Sequence, residues 1–153
     1  MSRRVSFAVF LCLVAFLFID AERASAQWTT DGIAVSAPLS QANGGRAVSD
    51  GHGGMIIVWS EYPDGRIRAQ HLDESGNPMW AVGGVATGIA GGPTITTDGA
   101  GGAIVVSGAG LAILAQHIDG RGNLLWGNSG VTLLAMATTN VWATQIVPDS
   151  AGG

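Results

Sequence analysis

The stretch Asp50-Gly51-His52-Gly53-Gly54 returns as Asp98-Gly99-Ala100-Gly101-Gly102 and starts again at Asp149-Ser150-Ala151-Gly152-Gly153. The starts are 48 and 51 residues apart, and a run of apolar, β-branched residues follows each complete copy. A fixed period of this size marks a repeat architecture. In D-G-x-G-G the aspartate accepts hydrogen bonds from its own turn, and glycine supplies the positive φ that closes a tight hairpin.

Two further landmarks keep the same order. Trp28-x-x-x-Gly32-Ile33, Trp80-x-x-x-Gly84-Val85 and Trp126-x-x-x-Gly130-Val131 share W-x-x-x-G-[IV]. The thirteen residues from Arg68 to Trp80 match those from Leu114 to Trp126 without a gap, at Ala-Gln-His, Asp, Gly-Asn and Trp. D-x-x-G-N reads as a second tight turn in each unit.

A unit therefore reads as a strand (Gly92 to Thr97), a D-G-x-G-G turn, a strand (Ala103 to Val106), a variable turn, a strand (Leu111 to Ile118), a D-x-x-G-N turn and a short strand reaching Trp126. Met55 to Trp59 is the counterpart of Ala103 to Val106 in the preceding unit. Four short strands joined by hairpins in about 45 to 50 residues have the dimensions of a β-propeller blade. β-Sandwich modules need about 100 residues each, and a β-solenoid uses shorter coils. The expected fold is all-β: tandem four-stranded antiparallel blades, β-propeller-like, forming an incomplete, N-terminal part of a larger ring.

From Trp28 onward the chain resembles the tandem repeats of large secreted or surface bacterial proteins, in which D-G-x-G-G and a following V-W precede A-Q-x-x-D-x-x-G-N-x-x-W. The resemblance implies propeller-like β domains in multidomain exported proteins of undefined activity, and it is silent on chemistry. The second unit departs from the pattern: Ser107 stands where Trp59 predicts an aromatic, and its central turn is two residues shorter.

Residues 1–26 read as a signal peptide. Arg3 and Arg4 precede a run from Val5 to Ile19 that is apolar except for Ser6, and Ala24-Ser25-Ala26 offers a small-x-small cleavage site. The run is shorter than the roughly 20 apolar residues of a spanning helix. The expected location is extracellular or the cell surface, with the periplasm as a variant. Cys12 is the only cysteine and lies inside that run, so a chain cleaved after Ala26 has no thiol for disulfides or thiolate metal sites. Residues 27–153 are the repeat region, with landmarks at Trp28/Asp50, Trp80/Asp98 and Trp126/Asp149 and the last repeat truncated. The chain reads as the exported part of a longer protein, the alternative being assembly of several short chains into a ring.

Residues 27–153 hold four arginines, no lysine and nine acids, a formal charge of −5. Such a chain lacks the basic footprint of a nucleic-acid binder and has no attraction to anionic lipid. No P-loop, G-x-G-x-x-G, G-x-S-x-G or H-E-x-x-H motif occurs. Asp50, Asp98 and Asp149 lack the spacing of a calcium nonapeptide or an EF-hand and read as turn caps. His71 and His117 occupy equivalent positions with no carboxylate recurring on their face of the strand, which reads as a scaffold role. His52 lies at a turn tip where the other complete copy has Ala100, and reads as a solvated turn residue. Trp28, Trp80 and Trp126, one per repeat, read as apolar anchors between sheets.

The non-repeated Trp59 and Trp142 are the better candidates for a surface contact. Trp59, Glu61, Tyr62 and Asp64, on or beside the longer turn Ser60 to Arg66, form the one ligand-contact site the sequence offers, because loops that vary on a repeated scaffold carry binding. No catalytic residue, metal ligand or cofactor is expected. The functional expectation is a non-catalytic scaffold for surface display or recognition, with a cell-surface protein or glycan as partner. The alternatives are the scaffold portion of an exported hydrolase whose catalytic residues lie elsewhere, or a carbohydrate-binding module using Trp59.

Overall fold

The structure is a computed structural model, and it describes residues 31–38, 40–142 and 145–149. The expected signal segment and Trp28 lie outside the described residues. The described residues form eight strands: β1 (Ala42–Ser49), β2 (Met55–Glu61), β3 (Arg66–Leu72), β4 (Val85–Ala90), β5 (Gly92–Thr97), β6 (Ala103–Ala109), β7 (Ala112–Ile118) and β8 (Val131–Ala135). They form two antiparallel four-stranded sheets, in order β1-β2-β3-β4 and β5-β6-β7-β8. No helix occurs among the described residues.

Each sheet is one sequence repeat, and the turns explain why. In the first D-G-x-G-G turn, Asp50 Oδ1 accepts from the N–H of His52 at 2.7 Å and of Gly54 at 2.9 Å. Asp98 Oδ1 does the same with Ala100 and Gly102, both at 2.8 Å. Gly54 and Gly102 have no room for a side chain, since a Cβ would strike the carbonyls of Leu72 and Ile118 respectively. At the D-x-x-G-N turns, Asp73 accepts from Ser75 and Asn77, and Asp119 from Arg121 and Asn123. Gly76 and Gly122 adopt φ of 82° and 88° there.

The fourth strand differs from expectation. It does not reach the tryptophan; it follows it, as β4 and β8. After each D-x-x-G-N turn the ladder is reduced to a single bridge, Leu72 with Pro78 and Ile118 with Leu124. A glutamine side chain then replaces the ladder. Gln70 Oε1 accepts from the N–H of His71 and Trp80, while its Nε2 donates to the Ala81 carbonyl. Gln116 binds His117, Trp126 and Gly127 in the same way. Only after the following glycine does the chain return to pair with β3 or β7.

The sheets pack face to face. Ile56, Val58, Ile67, Ala69, Trp80 and Ile89 from the first meet Ile95, Ala103, Val105 and Ile118 from the second. Cross-strand register puts Val58 beside Ala69 and Ala103 beside Ile118, so each set lies on one face. On the far face of the second sheet, Ile104, Val106 and Ala115 form a second cluster, against which Ile113, Trp126 and Ile146 pack. Ile146 precedes Asp149 by three residues, as Ile95 precedes Asp98. The start of the third repeat thus meets the second sheet with the residue that the second repeat uses on the first. Beside it β8 is exposed along its whole length.

Candidate functional site

A polar assembly that the sequence reading misses recurs in both sheets. His71 and Asp50 are buried, and His71 Nε2 lies 2.9 Å from Asp50 Oδ2. The second sheet repeats the pair with His117 and Asp98, also at 2.9 Å. The carboxylate comes from the turn before β2 and the imidazole from the end of β3, which the antiparallel register brings together: Ile56 lies opposite His71, and Ile104 opposite His117. The signal was available, since each complete unit carries both residues in the same order. The separation changes from 21 to 19 residues only because the turn between them is two residues shorter.

An ionised carboxylate only accepts, so Nε2 carries the hydrogen. Burial pushes the Asp50 and Asp98 carboxyls up, but the histidine hydrogen bond and the turn N–H groups outweigh it and hold both below the usual carboxylate range. Each imidazole also meets its tryptophan edge to face, His71 with Trp80 at 5.6 Å and His117 with Trp126 at 5.5 Å between ring centres. Trp80 Nε1 donates to the carbonyl of Gly120 in the next sheet at 3.1 Å. His71 Nδ1 lies 3.4 Å from that same oxygen. A histidine acting as base needs one ring nitrogen free to meet a substrate. His71, 8% exposed, has both nitrogens directed at protein groups. The assembly joins turn, strand and neighbouring sheet.

The residues expected to form a contact site are divided by the fold. Trp59 is 2% exposed, so the expectation that its indole meets a ligand at the surface is corrected. Its ring lies inside, against Gly84, where a Cβ would come within 2.8 Å of Cη2. Its neighbour Ser60 donates to the Gly91 carbonyl. Tyr62 is 65% exposed at the tip of the β2–β3 turn, and Asp64 pairs with Arg66 at 2.7 Å beside it. Glu61 is half-buried, 3.8 Å from the Arg68 guanidinium. Arg68 in turn donates to the carbonyls of Gly83 and Gly84. Tyr62, Asp64 and the edge of Glu61 therefore share a surface that Trp59 does not reach. Trp142, 75% exposed, lies after β8.

Three concavities accompany these features. One of about 390 Å³ is lined by Asp50, His52, His71, Asp73, Glu74 and Met79. A second of about 360 Å³ lies along β4, beside Asp64 and Arg66. A third, of about 160 Å³, is lined by Arg46, Ala47, Thr94, Ile95, Gln145 and Ile146. No group of three or more His, Cys, Asp and Glu side chains among the described residues is arranged to hold a metal.

Comparison with known proteins finds no match to this chain among protein-family models, curated proteins or solved structures.

Proposed function

We propose that the chain is a non-catalytic, β-propeller-like repeat scaffold of an exported bacterial protein, serving surface display or recognition. One observation carries this reading. The side chains able to do acid–base chemistry, Asp50 with His71 and Asp98 with His117, recur with the same partners in both sheets, as repeated framework does and a single reaction centre does not. The propeller arrangement is supported by the third concavity, whose walls come from corresponding positions in three successive repeats. First strands that converge on a common axis produce that geometry. Export rests on residues 1–26, and the contact surface we assign is the exposed turn carrying Tyr62, Asp64 and Glu61.

The test is to express the full chain with its N-terminal segment in a bacterial host and recover the protein outside the cytoplasm. The recovered material is then screened against an array of glycans and cell-surface proteins, and in parallel against chromogenic glycoside, ester and peptide substrates. Binding without turnover is expected, with loss on Tyr62→Ala. Turnover of any substrate class that tracks the purified chain would overturn the reading.

A further inference from the structure

Scaffold positions in this chain repeat, so a place where repeats converge but their residues differ is informative. The 160 Å³ concavity is such a place. Arg46, Thr94 and Gln145 each lie four residues before a turn aspartate, and Ala47, Ile95 and Ile146 each lie three before it. The second set stays apolar. The first changes from guanidinium to hydroxyl to amide, three hydrogen-bonding groups of different chemistry brought to one cavity by a repeated backbone.

Arg46 is the distinctive member. Arg66 is paired with Asp64, Arg68 is held by two carbonyls and Glu61, and Arg121 acts on the neighbouring Asp119. The Arg46 guanidinium bonds only to the adjacent Gly45 carbonyl, at 3.0 Å, and has no carboxylate in ion-pair reach among the described residues. In a chain with nine acids and four arginines after residue 26, a cation left without an acid at the mouth of a cavity is available to an acid from outside.

We propose that this concavity binds a hexuronate, a six-carbon sugar acid. The proposal rests on the recognition reading given above. The planar guanidinium fork of Arg46 matches a carboxylate in two-point fashion. Thr94 Oγ1 donates to the Val106 carbonyl at 3.2 Å, which leaves its oxygen to accept from a sugar hydroxyl. The Gln145 amide both donates and accepts, and Ile95 and Ile146 offer apolar surface to the C–H face of the ring. The volume lies below the roughly 300–1,000 Å³ of sites for drug-sized ligands, which fits one ring.

The experiment is an NMR titration of the full, isotope-labelled chain with D-glucuronate, with D-glucose as the neutral control. Saturable shifts are expected at Thr94 and Gln145 with glucuronate and not with glucose. Arg46→Gln is expected to weaken binding by about tenfold or more, since a charge-assisted two-point contact is lost. Arg66→Gln, at the start of β3 and outside the concavity, is the charge control and should leave binding unchanged. A methyl glucuronide arm separates sources: binding as tight as the free acid points to the end of an acidic glycan, and weaker binding to the free sugar acid. Equal response to glucose, or no effect of Arg46→Gln, would overturn the proposal. Methyl nuclear Overhauser spectra of the same sample test the underlying scaffold through contacts of Ile146 with Ile104 and Val106. With those contacts present and glucuronate silent, the ligand proposal fails and the scaffold reading stands; with them absent, both fail.

Discussion

Trp59 and Ile89 fill corresponding places in successive sheets. A Cβ on Gly84 would meet Trp59 Cη2 at 2.8 Å, and a Cβ on the equivalent Gly130 would meet Ile89 Cγ2 at 2.9 Å. In the second sheet the filling group comes from the sheet before it. In the first it comes from the sheet's own β2. This explains the departure at Ser107, which is fully buried and donates to the Ala90 carbonyl of the preceding sheet. Backbone and Ile89 already occupy the space that an indole would need. Ser107→Trp should therefore prevent the sheets from packing. Trp59→Ala should leave a cavity and cost about 3–5 kcal/mol. Urea denaturation followed by far-ultraviolet circular dichroism reads both, and a well-tolerated Ser107→Trp would contradict the interface.

Gly91 makes a sharper point about the same interface. It sits at φ 113° between β4 and β5, and a Cβ there would strike the Gly108 carbonyl and the Ser107 hydroxyl. Gly92, the next residue, has nothing within 4 Å of that position. Gly91→Ala should destabilise by about 1–3 kcal/mol through strain and overpacking, and Gly92→Ala by much less. Equal midpoints for the two variants would mean that the sheet junction is looser than the structure has it.

The hairpins were legible in the sequence because aspartate and glycine at fixed spacing act locally. The strand expected over Gly92 to Thr97 coincides with β5 at both ends, and Ala103 and Ile118 each bound a strand as expected. The fourth strand was not legible, because its displacement depends on Gln70 and Gln116 capturing backbone groups on either side of a turn. A glutamine in a strand pattern gives no sign of that. The burial of Trp59 was hidden for a related reason: whether an aromatic faces water depends on which sheet lies over it. The Asp50–His71 pair was half legible. Both residues repeat in the sequence, but the histidine's own strand carries no carboxylate on its face; antiparallel pairing supplies the partner from the preceding turn. The concavity between Arg46, Thr94 and Gln145 needs three repeats in register, which no local pattern states.

Acid should unfold this protein through its turn aspartates. Burial raises Asp50 and Asp98, but the hydrogen bonds from His71 and His117 and from the turn N–H groups leave both net lowered. Asp73 and Asp119 are lowered by the side-chain amides and N–H groups of Asn77 and Asn123. With folded values below the unfolded one, the unfolded chain binds protons first as pH falls. The stability these groups contribute is present above the unfolded carboxylate value of about 3.9 and is lost as pH drops through the lower folded values. The urea midpoint should fall steeply below that point. In the double variant Asp50→Asn, Asp98→Asn the fall should be shallower, and parallel limbs for the two proteins would show that other groups govern it.

Trp80 and Trp126 occupy the same place in the sequence repeat but not in the structure. Trp80 and Trp126 hold the same edge-to-face relation to their histidines and the same backbone bond to a glutamine. Trp80 is buried between sheets, donates to Gly120, and lies so close to Gly122 that a Cβ there would approach its ring to 3.2 Å. Trp126 is half-buried, and its Nε1 has no hydrogen-bond partner among the described residues. Phenylalanine at position 80 removes the part-buried hydrogen bond to the Gly120 carbonyl and leaves that oxygen only the longer approach of His71 Nδ1, at about 1–3 kcal/mol. At position 126 it removes no hydrogen bond, and the cost should stay below about 1 kcal/mol. Urea midpoints of Trp80→Phe and Trp126→Phe measure the difference. Acrylamide quenching supplies an independent check, since the fluorescence left in Trp80→Phe should be the more accessible. Equal costs and equal quenching would mean that the indole of the first sheet does not seat on the turn of the second.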